Sequence, residues 1–129
     1  MITENYISFE TAKLLKEKGF DEATLCDYSN KGTRWFNDVL VQHNSQGGIA
    51  CPTLQMAMKW LREIHHMIIV PQPLSFLISK GYPCKNWVYS LWVEVNLEID
   101  ESLGNQTSYP TYEQACEAAI QYCLKNLIQ

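Results

Sequence analysis

The stretch that most constrains this chain is LWVEVNLEI, residues 91 to 99. Leu91, Val93, Val95, Leu97 and Ile99 alternate with Trp92, Glu94, Asn96 and Glu98. A period of two over that length predicts a β-strand with one face on a core and the other toward solvent. Strands with one wet face belong to antiparallel sheets, and the dry face has to be covered by something else in the chain. Trp92 breaks the polar pattern on the wet face, which makes it a candidate contact residue.

Three helical stretches are available as that cover. In SFETAKLLKEKGF, Ser8 can cap a helix, Ile7 can pack back onto Ala12, and Gly19 can end it, with Ala12, Leu15 and Phe20 turned inward. In CPTLQMAMKWLREIHH, Pro52 suits a first turn and Cys51 or Thr53 can cap. Leu54, Ala57, Met58, Leu61 and Ile64 recur at three- and four-residue steps and predict one buried stripe. Met56 and Trp60 widen that stripe, so the helix is expected to be covered on a second side by another part of the chain or by a partner. In PTYEQACEAAIQYCLKNLIQ, Thr111 and Gln114 have capping-box spacing, and Tyr112, Cys116, Ala119, Ile120, Cys123 and Leu127 can line a buried side.

Between the helices, Ser29-Asn30-Lys31-Gly32 separates two short runs holding Tyr28, Trp35 and Phe36 and predicts a hairpin. Residues 42 to 50, QHNSQGGIA, read as loop. MIIV, residues 67 to 70, reads as strand, interrupted by Pro71 and Pro73 at a bend or an edge. LSFLIS, residues 74 to 79, alternates weakly. The expected fold is α+β: a small single domain spanning 1–129, with a three- to five-stranded, mainly antiparallel sheet packed against about three helices.

The three helical blocks YISFETAKLLKEKGF, PTLQMAMKWLREIHH and TYEQACEAAIQYCLKNLI together resemble a family of small uncharacterised proteins from gut anaerobes of the Bacteroides kind and from their phages and mobile elements. The resemblance implies a bacterial or phage origin. It implies no activity and carries over no site residue.

Composition narrows the functional classes. A net charge of -4 argues against bulk attraction to a nucleic-acid backbone. No apolar run approaches the ~18 residues that cross a bilayer, and the N-terminal MITENYISF is no secretory signal. Five cysteines, at 26, 51, 84, 116 and 123, include no C-x-x-C pair, which suits reduced, buried thiols in a cytoplasm.

The chemical candidates are few. Cys51 at a helix N-terminus would feel a positive dipole end that favours thiolate, with His43 or His65 as its base; this is the alternative reading, a small thiol-dependent enzyme. His65 and His66 are adjacent and cannot share a metal from one helix face. Cys116 and Cys123, seven apart, are about 10 Å apart along a helix, too far for a disulfide. Glu94, Glu98, Asp100 and Glu101 read as a solvated acidic strip. A further alternative, a phage-type nucleic-acid-binding regulator, would use Lys13, Lys16, Lys31 and Arg34 with Trp35 and Tyr28 as a stacking surface. No assembled catalytic set, metal site or cofactor site is expected. The leading expectation is a non-catalytic accessory protein that acts by association, as a homodimer or with a protein partner, with Met56, Trp60 and Trp92 as interface candidates.

Overall fold

Helix α1 (Phe9–Glu17) starts where Ser8 Oγ accepts the Thr11 N–H at 3.2 Å. It ends in a left-handed Gly19, φ +94°, as the Phe20 N–H returns to the Leu15 carbonyl at 3.0 Å. The structure, a computed structural model, describes residues 1–74, 86–95, 98–100 and 108–129; of 94, 95 and 98–100 it describes the backbone course. LSFLIS after Leu74, Asn96, Leu97, Glu101 and Cys84 lie outside the described residues.

The expected hairpin forms from β1 (Thr24–Tyr28) and β2 (Arg34–Val41). Ser29 organises the turn: its N–H donates to the Thr33 carbonyl at 2.8 Å and its Oγ accepts the Lys31 and Thr33 N–H groups. Gly32 sits at φ +86°, and a Cβ there would come within 3.0 Å of the Phe9 ring. Residues 42 to 50 are more ordered than a loop. They contain a 3-10 turn (His43–Gln46) and a two-residue strand β3 (Ile49–Ala50), which pairs with the free side of β1. Asn44 fixes this return: its Nδ2 donates to the Phe20 carbonyl at 2.6 Å and its Oδ1 accepts the Ala50 N–H at 2.8 Å. Two apolar residues are too few to show a period.

Helix α2 (Leu54–His65) is capped by Thr53, whose Oγ1 accepts the Met56 N–H at 3.1 Å. Cys51 is therefore not at the cap. The helix closes on His66, at φ +57°, with its N–H on the Leu61 carbonyl. Leu54, Ala57, Met58 and Leu61 form the buried stripe, but Ile64 stands exposed.

The second half builds its own sheet. Strand β4 (Met67–Pro73) pairs with β5 (Trp87–Val95), which pairs with β6 (Glu98–Asp100), all antiparallel. Pro71 and Pro73 do not interrupt β4; they lie opposite Tyr89 and Trp87. The register explains why. Leu74 donates its N–H to Asn86 at 2.9 Å, so every second residue back from it bonds to β5, and both prolines take the positions whose N–H would point away. Among the described residues β4 is an edge strand, which suits its prolines.

Helix α3 (Tyr112–Tyr122), capped by Thr111, runs into a π-helical last turn, Cys123–Leu127. The fold is α+β, with three α-helices and two three-stranded sheets, β2-β1-β3 and β4-β5-β6, among the described residues. Where one sheet was expected, the strands divide in two. β3 fills β1's second side before α2 is made, and β4 starts afresh after it. α2 and α3 pack on β4, while α1 packs on β3 and α3. The core runs through Leu15, Phe20, Leu61, Leu91, Ile120 and Leu124, all 0–1% exposed. A polar bond set ties α1 to α3: Glu117 Oε1 accepts from the Ser8 N–H at 2.9 Å and from the buried Thr11 hydroxyl at 2.5 Å.

Candidate functional site

The thiol expected to be reactive is sealed. Cys51 is fully buried between β3 and α2, with its N–H on the Cys26 carbonyl at 2.9 Å and its Sγ 3.8 Å from the Ile7 carbonyl. Burial pushes its pKa up, against a lowering effect of the neighbouring Cys26, Tyr28 and Arg34. The expected helix-end activation is absent because Thr53, two residues on, holds the cap position.

Neither histidine joins it. His43 is buried; its Nε2 lies 3.2 Å from the Thr24 carbonyl and 3.4 Å from Asn37 Nδ2, and its Nδ1 lies 3.9 Å from Asp27 Oδ2. His65 stands edge-on to the Trp60 ring with centroids 4.7 Å apart, and its Nε2 is buried without a hydrogen-bond partner. Burial lowers its pKa, and neighbouring His66 adds to this. Among the described residues no three of His, Cys, Asp and Glu gather where they could hold a metal ion. Cys116 and Cys123 are fully buried free thiols in α3 and the turn after it. The side chains of Glu94, Glu98, Asp100 and Glu101 lie outside the described set.

Three of the four cations expected on a nucleic-acid surface make contacts within the chain. Tyr28 is buried and its hydroxyl donates to the Ile7 carbonyl at 2.6 Å. Arg34 donates to that same hydroxyl at 3.0 Å and lies over the Tyr6 and Tyr28 rings. Lys16 Nζ donates to the Gly48 carbonyl at 2.6 Å, and Lys13 Nζ sits 4.6 Å over the Phe9 ring. Lys31 is exposed, as is Trp35.

Of the interface candidates, Trp60 requires correction. It is 6% exposed and packs edge-on to Phe20 at 5.4 Å, so the wide side of α2 is covered by the chain itself. Trp92 is half-buried, opposite exposed Ile68 on the outward face of the β4-β5 pair. Met56 is exposed, and it belongs to a larger feature than sequence reading reached.

That feature is β2. Trp35, Phe36, Val39 and Leu40 are 60–66% exposed, on a strand with β1 on one side and, among the described residues, nothing on the other. The pairing with β1 slips: Phe36 faces Cys26 and Val41 faces Thr24, so residues 37 to 40 arch over Leu25. Beneath that arch opens an apolar hollow of about 160 Å³, lined by Tyr6, Leu25, Leu40, Cys51, Pro52 and Met56 among others. Phe36 meets Tyr6 edge-on at 5.3 Å, which joins the strand to the hollow in one apolar surface. Sequence reading placed Trp35 and Phe36 in a hairpin and offered Trp35 only as a stacking residue for nucleic acid. The signal available was the run WFNDVLV, which has no consistent polar face.

The chain matches no protein-family model, no curated protein and no solved structure. Among the described residues no helix is long and apolar enough to cross a membrane.

Proposed function

We propose that this chain is a non-catalytic accessory protein that works by protein–protein association, self-association included, through β2 and the hollow beside it. The observation that carries the reading is the eight-residue edge strand with four large apolar side chains in solvent. Monomeric proteins blunt such edges with charge, proline or cover, and a contiguous apolar patch rimmed by polar groups marks a docking surface. Arg34, Asn37 and Asp38 provide the polar element on β2 itself. The four side chains with Leu25 and Met56 offer roughly 600 Å² of apolar surface, near the lower end of what one partner contributes to a stable interface. An added strand pairing with β2 would satisfy its free backbone groups while its side chains meet the arch.

The compartment we propose is the cytoplasm, where buried thiols stay reduced. The resemblance of the three helical blocks supports a bacterial or phage-encoded origin and makes extracts of Bacteroides-type cells, infected and uninfected, the material to probe. Two measurements test the reading together. Light scattering over rising concentration should show mass above the monomer, or capture from such extracts should recover a protein that a chain carrying Val39→Lys and Leu40→Lys fails to recover. A strict monomer whose captured set is unchanged by those substitutions removes it.

A further inference from the structure

Strands β1 and β3 set Asp27 opposite Ala50 and Tyr28 opposite Ile49. One step along the same register, Cys26 stands opposite Cys51. The Cys51 N–H donates to the Cys26 carbonyl at 2.9 Å, which holds the two residues across from each other just past the end of β3. Residues opposed in this way hold their Cα atoms about 4.5–5.5 Å apart, inside the ~4.4–6.8 Å that a disulfide spans. Both side chains turn to the same face, since Thr24, Cys26 and Tyr28 are the buried alternates of β1 and Cys51 is fully buried beside them. Cys116 and Cys123, at helical spacing about 10 Å apart, lack this opposition.

We propose that Cys26 and Cys51 form a thiol-modification site that closes to an internal disulfide by exchange with a small disulfide of the glutathione class. Cys51 is the entry sulfur: it is fully buried at rest but forms part of the wall of the hollow beside β2, so exchange proceeds when that wall opens locally. Its thiolate attacks one sulfur of the small disulfide; an S–S bond forms between them and one small thiolate leaves. The Cys26 thiolate then attacks Cys51 Sγ, forming the Cys26–Cys51 bond and expelling the second small thiolate. Two protein thiols are oxidised and one small disulfide is reduced, and the protons lost by the cysteines end on the two released thiols. Burial pushes Cys26 up to about 12 and raises Cys51 too, so exchange at neutral pH is slow; the Arg34 charge favours both thiolates. The bond would tie β1 to β3 around the whole of β2 and the 3-10 turn. This inference does not rest on association.

The test is an equilibrium one, so that slow exchange does not decide it. The full chain carrying Cys84→Ser is held in glutathione buffers from reduced to oxidised at mildly alkaline pH. Samples are quenched, free thiols alkylated, and peptides mapped by mass spectrometry. The expected result is loss of alkylation at Cys26 and Cys51 together, with a linked peptide pair holding both, while Cys116 and Cys123 stay alkylated. In Cys26→Ser the same buffer should leave Cys51 carrying glutathione. If that variant does not fold, the Cys84→Ser chain decides alone. Persistent alkylation of both cysteines in the most oxidising buffer, a glutathione adduct on Cys51 without closure, or a bond to another cysteine or another chain overturns the proposal.

Discussion

Each sheet ends on a long strand, β4 in one and β2 in the other, and the two edges are built in opposite ways. β4 carries Pro71 and Pro73 where a free N–H would otherwise face outward, and α2 and α3 pack against it. β2 carries no proline and, among the described residues, no cover, and puts Trp35, Phe36, Val39 and Leu40 into solvent. Both stretches are apolar in sequence. Hydrophobic content therefore does not decide whether a strand joins the core; helices that lie across it do. β4 is met by α2 from before it and α3 from after it, whereas β2 turns into a 3-10 segment that returns to β1 and, among the described residues, leaves the arch uncovered.

The largest contrast should come from truncating one buried and one exposed leucine. Leu91→Ala in β5, fully buried, should lower unfolding free energy by about 2–5 kcal/mol, whereas Leu40→Ala in β2 should change it by less than about 0.5 kcal/mol. Denaturant midpoints measure both. A Leu40→Ala cost as large as that of Leu91→Ala would mean that β2 is covered after all.

Next in size is an alkaline loss of stability located in the core. Burial raises Cys123 and Tyr89 to about 12 and Cys116 to about 11, with Cys26 also at about 12, from ordinary values of 9.0 for the thiols and 10.0 for the tyrosine. The folded chain keeps these groups protonated where the unfolded chain ionises them. Their contribution is therefore whole below about pH 9 and falls as pH rises toward about 12. Urea midpoints across that window should decline, and Cys123→Ala should flatten the decline. Substitutions in β2 should leave its shape unchanged.

Smaller still, Pro71→Val with Pro73→Val would restore two outward N–H groups to β4 and make it resemble β2. Stability should shift by no more than about 1 kcal/mol, while light scattering at high concentration should report more association than the unaltered chain shows. The converse change, Val39→Lys with Leu40→Lys, should shift stability by less than about 0.5 kcal/mol and reduce binding of a hydrophobic dye. If the lysines leave dye binding unchanged, the exposed arch is not the open apolar surface of this molecule.

What could be read from the sequence was local. Ser8, Thr53 and Thr111 cap their helices because a side-chain oxygen reaches an N–H three residues on, a matter of spacing alone. Gly19 and the Ser29–Gly32 turn follow from backbone preferences of the same range. The burial of Trp60 and the exposure of Trp35 could not be read this way. Each depends on what the chain brings from elsewhere: Phe20 and His65 to the first, nothing described to the second. Periodicity also overreached at Ile64, which keeps helical step with the buried stripe but extends past the surface that covers it. Cys51 looked like a helix end because it precedes a proline, and the actual cap two residues on turned it inward. The hollow was invisible, since its walls come from four separate stretches.

The hold of Glu117 on Ser8 and Thr11 reaches back across 109 and 106 positions. A ribosome adding about 5–20 residues per second makes the receiving groups roughly ten seconds before the carboxylate that completes them. Until then, the nascent first helix has an unanswered amide and a hydroxyl that cannot yet be enclosed. Translation must be nearly through α3 before the opening helix can settle, so a stall after the second sheet would release a chain whose beginning is still unmade.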